Sequence, residues 1–320
     1  MNNAYGGSEN RTAELHGLLS TVADVTVWSE FDVHQTLRAR LPIRKINGLF
    51  GAYPKGGTLV FVGCYFRIGN WLRKFKPGRV IAIYNTPDPD NLAQFLARLR
   101  AHGLEASCEF VYASEWLRSR TGLPGVVQMS PIDLDRFNPA SPTLSKSGAA
   151  FTVGRLSRDV LAKHHPDDPE LYRTLASQGV AIKIMGGTVL KEQIGYVPGV
   201  DLLPEGAIPS EVFLKSLDCF FYRTSPEWRE PHGRVVTEAM AAGLPVVCGG
   251  DGGYLEFVEH GTNGFRVEDN RQAQEIFMLL NNDRNLAREI GVAARESMEQ
   301  MFSTDRMAEI VDYFLKAEAR

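Results

Sequence analysis

Short apolar runs rich in β-branched and aromatic residues alternate with amphipathic stretches along the whole chain, and this alternation is what most constrains the fold. Helical patterns such as "NLAQFLARLRAHG" (91–103) and "ELYRTLASQG" (170–179) each end in the glycine expected just past a helix. Strands that alternate with helices indicate βαβ units and parallel, doubly wound α/β sheets. The apolar runs have the length of buried strands, and they are "VTVW" (25–28), "TLVFVG" (58–63), "VIAIY" (80–84), "CEFVYA" (108–113), "AAFTVG" (149–154), "VAIKIMG" (180–186), "DCFFY" (218–222) and "LPVVCGG" (244–250).

The alternation of strand and helix patterns is interrupted at "NPASPTLSKSG" (138–148), whose Pro, Ser and Gly content is typical of a linker. A chain of 320 residues is long enough for two cores of about 150 residues each. We therefore predict two Rossmann-like domains, 1–140 and 141–320, with a C-terminal helix that can pack back on the first. Two such domains facing each other would place the carboxyl ends of both sheets on one cleft, where open α/β sheets bind ligands.

Several function classes are disfavoured by what the sequence lacks. Neither the dinucleotide fingerprint G-x-G-x-x-G after a strand nor the P-loop pattern is present. The cysteines lack C-x-x-C spacing, so neither a zinc site nor a disulfide framework is indicated, and no cofactor is predicted. No apolar run reaches the roughly 18 residues of a membrane span, and the N-terminus lacks the order of a signal peptide, so we predict a cytoplasmic protein. The four cysteines are Cys64, Cys108, Cys219 and Cys248.

The segment "REPHGRVVTEAMAAGLPVV" (229–247) carries the strongest local signal for a site. Pro231 and Gly233 predict a turn, and a helix follows that ends near Gly243. The first amides of a helix are unpaired, and with the helix dipole they favour an anion such as a diphosphate. The residues whose amides we expect to serve this anion site are Arg234, Val235 and Val236.

Two glutamates, Glu230 and Glu238, flank this predicted anion site. Glu238 lies about four residues into the helix, roughly 6 Å along its axis. Carboxylates beside a diphosphate would repel it, so their partners should be neutral hydroxyls, such as those of a sugar and a ribose. The alternative is that one glutamate stabilises the helix dipole and the other is a surface residue.

The same segment, with "GLPVVCGGDGGYLEFVEHGTNGFRVED" (243–269) after it, resembles the retaining GT-B glycosyltransferases of group 1, also known as family 4. Glu230 and Glu238 match that family's E-x7-E motif. Further similarity, in the family's order along the chain, lies in "YGGSEN" (5–10), "SPIDLDRFNPA" (130–140) and "FTVGRLSR" (151–158).

The resemblance implies roles for individual residues. Glu238 would hold the ribose hydroxyls and Glu230 those of the transferred sugar. Arg155 and Lys163 would bind the diphosphate, with Arg158 as the reserve candidate because the spacing from Arg155 to Lys163 is long. Cations there stabilise the charge that develops on the leaving phosphate, so no metal is required.

Glycine pairs complete the implied donor site. Gly6 and Gly7 would let the backbone approach the donor or the acceptor closely. Gly186 and Gly187 would line the nucleobase pocket beneath the loop 204–213, although this turn and this loop are equally typical of plain packing.

Two departures from the family pattern bear on catalysis and on the fold. Asn85 stands where many relatives carry a histidine on the acceptor side, and an amide cannot shuttle a proton. Relatives begin with an apolar strand before the glycine-rich loop, so we expect the N-terminal sheet to lack its first strand and an upstream start to restore it. The pairs Asp88/Asp90 and Asp133/Asp135 imitate a metal-binding Asp-x-Asp but lie away from the predicted diphosphate site.

Charge is divided unevenly between the two halves of the chain. Residues 1–140 contain 16 basic and 12 acidic residues, and residues 141–320 contain 19 and 26. Part of the basic excess lies in segments 38–45 and 71–79. The second segment contains Trp71, which we expect to be exposed beside the cations. These segments could be solvated helix faces, or a surface for an anionic membrane or acceptor. Nucleic acid is disfavoured because aromatic residues do not interleave with the charges.

The sequence thus predicts a metal-independent retaining glycosyltransferase that moves a hexosyl unit from a nucleotide diphosphate sugar to a carbohydrate or lipid-linked acceptor. Its expected context is cell-surface polysaccharide or glycolipid synthesis, in the cytoplasm and at the inner membrane face. The alternative is a nucleotide-sugar-binding protein of the same fold whose catalysis is impaired.

Overall fold

The computed structural model describes residues 6–66, 69–139 and 150–316, and the chain divides into two units. The first comprises Met1–Pro131 and Thr304–Arg320, and the second comprises Ile132–Ser303. The sequence placed this boundary later, at 140/141, and most of its linker (138–148) lies outside the described residues. The boundary lies earlier because Phe137 is buried and Arg295 donates hydrogen bonds to the carbonyls of Leu134 (3.1 Å) and Phe137 (3.2 Å), within the second unit.

The described part of the first unit begins with a helix and contains short strands. A 3₁₀ helix, Asn70–Lys74, joins the third and fourth strands. The other elements are α1 (Gly7–Leu19), β1 (Val27–Ser29), α2 (Gln35–Arg40), β2 (Ile43–Lys45), β3 (Thr58–Val62), β4 (Arg79–Tyr84), α3 (Pro89–Ala101), β5 (Cys108–Tyr112), α4 (Glu115–Ser119), β6 (Val126–Val127) and, from the C-terminus, α11 (Thr304–Leu315).

The main sheet of the first unit is parallel, in the order β3-β4-β5-β6, while β1 and β2 pair separately. Every residue of β4 is buried, as expected for a central strand covered on both faces. Phe95 of α3 belongs to the core on one face, and Leu15 of α1 and Phe314 of α11 belong to the core on the other. The expected absence of a first strand concerns the chain before Gly6, which lies outside the described residues.

The second unit continues the alternation of strands and helices. Its short 3₁₀ helices are Leu161–Lys163, Thr188–Leu190 and Gly253–Glu256. The other elements are β7 (Thr152–Leu156), α5 (Asp168–Ser177), β8 (Ala181–Met185), α6 (Lys191–Ile194), β9 (Val200–Leu203), α7 (Ser210–Leu214), β10 (Cys219–Tyr222), α8 (Arg234–Ala241), β11 (Val246–Gly249), β12 (Phe265–Val267), α9 (Asn270–Asn282) and α10 (Arg284–Met301).

The strand order of the second unit creates a topological switch point. Its six parallel strands run β12-β11-β10-β7-β8-β9. The strands β8 and β9 therefore extend the sheet on one side of β7, and β10, β11 and β12 extend it on the other side. The loops after β7 and β10 therefore start at adjacent strand ends. In open parallel sheets this is where ligands bind.

The predicted doubly wound parallel pattern is confirmed, and most of the quoted runs correspond to strands. The run at 25–28 contributes only to the small sheet of β1 and β2. The exposed position expected for Trp71 is wrong, because its side chain is 6% exposed and packs in the core of the first unit. Its indole N–H donates to Glu30 Oε1 at 3.0 Å, which satisfies the polar end of the buried ring. The strands that the sequence did not predict are β2, β6, β9 and β12, which have between two and four residues each.

Candidate active site

The turn before α8 is built around Gly233. This residue has φ +69°, in the left-handed region, and caps the helix that begins at Arg234. A Cβ at this position would lie 2.7 Å from Cβ of Tyr254, so both the conformation and the space require glycine. The chain from β10 is thereby turned sharply into α8, as the Pro-His-Gly sequence predicts.

An ion pair between Lys163 and Glu230 joins the two loops of the switch point. Lys163 follows β7 and Glu230 follows β10, and Lys163 Nζ donates to Glu230 Oε2. Both side chains are nearly buried, with exposed fractions of 10% and 13%. The same oxygen accepts a hydrogen bond of 2.9 Å from the hydroxyl of Tyr222, and the Glu230 carbonyl accepts one of 2.9 Å from the amide of Gly253. Glu230 is therefore held through both its side chain and its backbone.

The electrostatics of this pair follow from its burial. Burial lowers the pKa of Lys163, and the charge of Glu230 opposes that shift. Burial alone would raise the pKa of Glu230, but the charge and hydrogen bond of Lys163 and the hydrogen bond of Tyr222 outweigh it, so this pKa lies below its ordinary value. Glu230 is thus ionised at neutral pH beside a cation.

The indole ring of Trp228 brings two of the predicted phosphate-binding cations together. Lys163 Nζ lies 4.6 Å from the ring centroid and Arg158 Cζ lies 5.1 Å from it. Cations at these distances are attracted by the ring face. Arg158 is half-buried, so it is the more accessible of the two cations. Trp228 is not among the predicted site residues, and its position two residues before Glu230 was the available signal.

The structure buries Arg155, one of the residues expected to contact the diphosphate. Its side chain is fully buried within β7, and its guanidinium donates to the carbonyls of Arg223 (2.8 Å) and of Lys163. These bonds position the backbone of Lys163. Contact of Arg155 with the diphosphate stays a prediction.

Asp168, at the start of α5, is the carboxylate that balances this buried arginine. It is fully buried, and its Oδ2 lies 3.4 Å from Nη1 of Arg155. Its Oδ1 accepts from Nε (3.0 Å) and Nη2 (2.5 Å) of Arg223. One carboxylate therefore joins β7, α5 and the residue after β10. Asp168 is not among the predicted site residues, because nothing in the local sequence shows that two arginines distant from it converge on its carboxylate.

Glu238 pairs with Arg234 within the first turns of α8. Arg234 Nε donates to Glu238 Oε1 at 2.8 Å, and the side chains are 9% and 8% exposed. The expected anion site at the start of this helix has fewer available amides than predicted, because the amide of Val236 donates to the carbonyl of Gly233 at 2.8 Å. Val236 is fully buried, whereas Arg234 and Val235 are partly exposed.

Gly186 and Gly187 form a turn that packing explains. Gly186 has φ +81°, and a Cβ there would lie 1.9 Å from the carbonyl oxygen of Ser157. A Cβ on Gly187 would lie 2.5 Å from Cγ2 of Ile184. The Gly186 carbonyl accepts a hydrogen bond of 2.9 Å from Nε2 of buried His164, the neighbour of Lys163. This turn therefore supports the loop that carries the ion pair, and its contact with a nucleobase stays a prediction.

In the first unit, a neutral polar cluster lies where β3 and β4 end. Asn85, which follows β4, donates from Nδ2 to Oγ of Ser8 at 2.9 Å. Gly63, which follows β3, is close enough that a Cβ would lie 3.5 Å from Oδ1 of Asn85. Gly6 caps α1 with ordinary extended backbone, and a Cβ on Gly7 would contact nothing within 4 Å. Space therefore does not require glycine at position 7, and the backbone conformation does not require it at position 6.

In each acidic pair that imitates a metal motif, the first carboxylate accepts hydrogen bonds from backbone amides. Asp88 Oδ1 accepts from the amides of Asp90 and Asn91, and Asp133 Oδ1 accepts from those of Asp135 and Arg136. Across residues 6–66, 69–139 and 150–316, no three His, Cys, Asp or Glu side chains are grouped as they would be to hold a metal ion. The same ranges contain no helix both long and apolar enough to cross a bilayer.

Comparison with known proteins identifies relatives for the region that contains this site. Residues 206–297 match the family model of the group 1 glycosyl transferases, a range that includes both glutamates. The chain is 29% identical over 172 residues to spore coat protein SA of Bacillus subtilis, covering 49% of this chain and 45% of that protein. It is 31% identical over 219 residues to a GDP-mannose-dependent alpha-(1-6)-phosphatidylinositol monomannoside mannosyltransferase of Mycobacterium tuberculosis, covering 58% and 54%. These matches thus span about half the length of each relative.

Solved structures extend the comparison to nearly the whole chain. The Anabaena protein Alr3699/HepE, solved with UDP-glucose, superposes with a TM-score of 0.74 at 17% identity, covering 98% of this chain and 97% of the other. WaaG, a glycosyltransferase involved in lipopolysaccharide biosynthesis, superposes with a TM-score of 0.64 at 15% identity, covering 99% and 98%. At such identities the likeness establishes the fold, which is the predicted GT-B fold.

Proposed function

Because residues 206–297 match the group 1 glycosyl transferases and the chain has the GT-B fold, we propose that it is a member of that family and transfers a hexosyl unit from a nucleotide diphosphate sugar with retention at the anomeric carbon. The acceptor is a carbohydrate or a lipid-linked carbohydrate, and the reaction needs no metal ion. The relatives favour this range of substrates, since one is named for GDP-mannose and a phosphatidylinositol mannoside, and another was solved with UDP-glucose.

The observation that carries the proposal is the Lys163–Glu230 ion pair at the topological switch point. A nucleotide diphosphate sugar presents an anion and neutral hydroxyls side by side. Lys163 and Arg158, held at one indole ring, supply cations for the diphosphate. Glu230 supplies an ionised acceptor for a sugar hydroxyl, because its pKa is lowered by the cation beside it. The pair therefore fits both halves of the donor.

The proposed reaction breaks the bond between the anomeric carbon and the oxygen of the β-phosphate. The electron pair stays on that oxygen, and the charge of Lys163 stabilises it more strongly in the transition state than in the ground state. The acceptor hydroxyl forms its new bond on the face that the phosphate leaves, and its proton passes to the leaving phosphate oxygen. Asn85 is not required to carry a proton in this scheme.

The roles of the two glutamates differ. Glu238 accepts hydrogen bonds from the ribose, and it also holds Arg234 at the helix start, where the partly exposed residue Val235 offers its amide to the diphosphate. Glu230 accepts from the transferred sugar. The nucleotide part of the donor therefore depends on Glu238, and the reacting sugar depends on Glu230.

The test combines binding with product analysis. Titration calorimetry with UDP and GDP should detect binding of one of them, and incubation with the matching sugar nucleotides in EDTA should yield product. NMR of that product should show the anomeric configuration of the donor. Binding of neither nucleotide would refute the proposed donor class, an inverted product would refute retention, and loss of transfer in EDTA would refute metal independence.

A catalytically impaired sugar-nucleotide-binding protein is the second candidate, and Asn85 is the observation that favours it. Its amide is engaged with Ser8 and cannot exchange a proton at neutral pH. Nucleotide binding without transfer to any acceptor, and without slow hydrolysis of the donor, would support this candidate over the enzyme.

The expected location follows from the proposed acceptor. We place the protein in the cytoplasm, at the inner face of a membrane, where lipid-linked acceptors and anionic lipids are available. The exposed cations of segments 38–45 and 71–79 in the first unit are the proposed contact.

A further inference from the structure

The basic segments of the first unit are parts of one longer stretch without any acidic residue. Residues 33–87 contain ten Lys and Arg and no Asp or Glu. Two of these cations are paired with acids outside the stretch, Lys45 with Asp32 and Arg79 with Glu109. The exposed ones include Arg38, Arg40, Arg44, Lys55, Arg73, Lys74 and Lys76. Such a stretch attracts an anionic partner and contains no acidic side chain to repel it.

A closed loop in the middle of this stretch presents two large apolar side chains to solvent. Leu49 is 94% exposed and Phe50 is 86% exposed, more than the other large apolar residues of the first unit's described part. They form the tip of a four-residue Gly-Leu-Phe-Gly turn closed by an antiparallel bridge between Asn47 and Ala52. Adjacent leucine and phenylalanine side chains with so little cover are unusual on a protein surface that meets only water.

The amides of the two apolar tip residues are hydrogen-bonded within the loop. Asn47 Oδ1 accepts from the amides of Leu49 (3.2 Å) and Phe50 (3.4 Å), and Asn47 and Ala52 exchange backbone hydrogen bonds of 2.7 and 3.0 Å. Because these two amides are paired, the tip leaves water at a lower cost than it would with both of them unpaired. This arrangement suits insertion into an apolar medium.

The stem of the loop is fixed to the folded core beside further cations. Ile46 and Tyr53 pack against the core of the first unit, and the amide of Ile46 donates to the Ser29 carbonyl at 2.9 Å. A Cβ on Gly48 would lie 3.8 Å from Cβ of Trp71, in the 3₁₀ helix that also carries Arg73 and Lys74. The apolar tip and exposed cations are therefore neighbours on one rigid support.

We propose that Leu49 and Phe50 insert into the interfacial region of an anionic lipid bilayer while the surrounding cations contact its headgroups. Stable attachment of a peripheral protein needs two signals, and an apolar anchor with a basic surface supplies both. A lipid surface fits better than an acidic protein or a nucleic acid, because an aliphatic and an aromatic side chain at a convex tip gain most from a fluid apolar layer. The inference rests on the proposed membrane contact and not on glycosyl transfer.

Flotation with lipid vesicles tests the proposal. The full chain, without nucleotide, is mixed with vesicles of phosphatidylcholine alone or with phosphatidylglycerol added. The wild type should float with the anionic vesicles, less so as salt rises, because exposed charges are screened within about 10 Å at 0.1 M salt. Leu49→Ser with Phe50→Ser should lower the partition coefficient by about tenfold to a hundredfold at fixed salt, because two apolar side chains no longer leave water.

Matched variants separate the anchor from general effects. Tyr196→Ser removes a side chain that is also 94% exposed in a glycine-flanked loop, but in the second unit, and should leave flotation unchanged. Arg73→Glu with Lys74→Glu should reduce flotation, and Lys191→Glu with Lys215→Glu, at exposed positions of the second unit, should have little effect. In a Phe50→Trp variant, an emission shift to shorter wavelength on adding anionic vesicles would show that the tip enters the bilayer.

Equal flotation of the wild type with neutral and anionic vesicles would overturn the proposal, and so would wild-type flotation of the Leu49/Phe50 variant. A third contrary result is a wild type that binds no lipid and is a dimer, together with a Leu49/Phe50 variant that is a monomer. The last result would assign the tip to self-association. Because no sugar nucleotide is present, these outcomes are independent of any transfer measured with a soluble acceptor.

Discussion

The two units place different chemistry at the carboxyl ends of their strands. In the second unit, buried charges lie at or beside these ends as one ion pair, Lys163 with Glu230, and one triad, Asp168 with Arg155 and Arg223. In the first unit, neutral Gly63 and Asn85 follow β3 and β4, and Asn85 contacts Ser8 of α1. The same parallel architecture thus supports a charged site in one unit and an uncharged one in the other.

This difference supports assigning the phosphorylated ligand of the proposed reaction to the second unit. Buried charges are costly unless they are paired and hydrogen-bonded, so a fold that retains several of them at one set of strand ends needs a reason. The proposed binding of a diphosphate would supply that reason in the second unit. A neutral cluster suits hydroxyls instead, and it adds little electrostatic cost to the first unit.

The largest expected effect is on stability, from Asp168→Asn. This substitution leaves two buried guanidinium groups without their shared carboxylate. Breaking a buried charge network by removing one partner costs about 3–5 kcal/mol. Urea unfolding of the second unit should show this loss, whereas Glu275→Gln, which removes an exposed partner of Arg271, should change stability by less than about 0.5 kcal/mol. Similar losses for both would mean that the network is not the support we describe.

Lys163→Met should have the next largest effect, on turnover. The methionine fills similar space but removes the charge that stabilises the leaving phosphate, and such losses reduce turnover about 10²–10³-fold. Lys215→Met, at an exposed position of the same unit, is the matched control and should retain wild-type turnover. Steady-state kinetics with saturating donor measures both, and near-wild-type turnover of the Lys163 variant would remove this residue from the mechanism.

The two glutamates sharpen the comparison within the second unit. Glu238→Gln should weaken binding of the nucleotide diphosphate itself by about tenfold to a hundredfold, since a hydrogen bond to a charged acceptor contributes about 1.5–3 kcal/mol. Glu230→Gln should leave that affinity nearly unchanged and lower turnover with the full donor. Calorimetry and transfer assays on both variants decide the matter, and an identical response would contradict the division of roles.

Much of the second unit follows from local sequence. Regular alternation predicted its sheet, and the Pro-His-Gly turn predicted a helix directly after it, which begins at Arg234. Lys163 and Glu230 were both singled out, although their direct contact was not foreseen, because it depends on the strand order that brings β7 beside β10. Strand order is a long-range property that periodicity does not encode.

Arg155 shows why the rest could not be predicted. An arginine at a strand end looks accessible, and only Asp168 and the carbonyl groups around it make its burial tolerable. Trp71 was misjudged for the same reason, since Glu30, 41 residues away, satisfies its indole. In both cases the burial of a polar group depends on a partner that is distant in sequence.

A smaller effect concerns the pH dependence of stability. Burial, assisted by the charge of Arg155, lowers the pKa of His164 from 6.5 to about 3. Between these values the unfolded chain binds a proton that the folded chain does not, so stability falls as pH falls below about 6.5, by about 1.4 kcal/mol for each pH unit.

His164→Gln removes this titration and keeps a donor for the Gly186 carbonyl. Its stability should therefore fall less than that of the wild type between pH 7 and pH 5, by about 2 kcal/mol. His260→Gln, at an exposed position of the same unit, is the control and should follow the wild type. Parallel curves for the wild type and His164→Gln in urea unfolding would show that His164 does not carry the dependence.

The smallest expected effect tests the neutral cluster of the first unit. The hydrogen bond from Asn85 to Ser8 joins uncharged groups that are half-buried, so a double-mutant cycle of Asn85→Ala and Ser8→Ala should give a coupling free energy of about 0.5–1.5 kcal/mol in urea unfolding. Neither substitution should change nucleotide affinity, because the diphosphate is assigned to the charged strand ends of the second unit. If Asn85 only orients a hydroxyl, Asn85→Ala should reduce turnover by about tenfold or less, since one neutral hydrogen bond is lost. A reduction like that of Lys163→Met would instead show that the neutral strand ends take part in the reaction as strongly as the charged ones, and the contrast between the two units would fail.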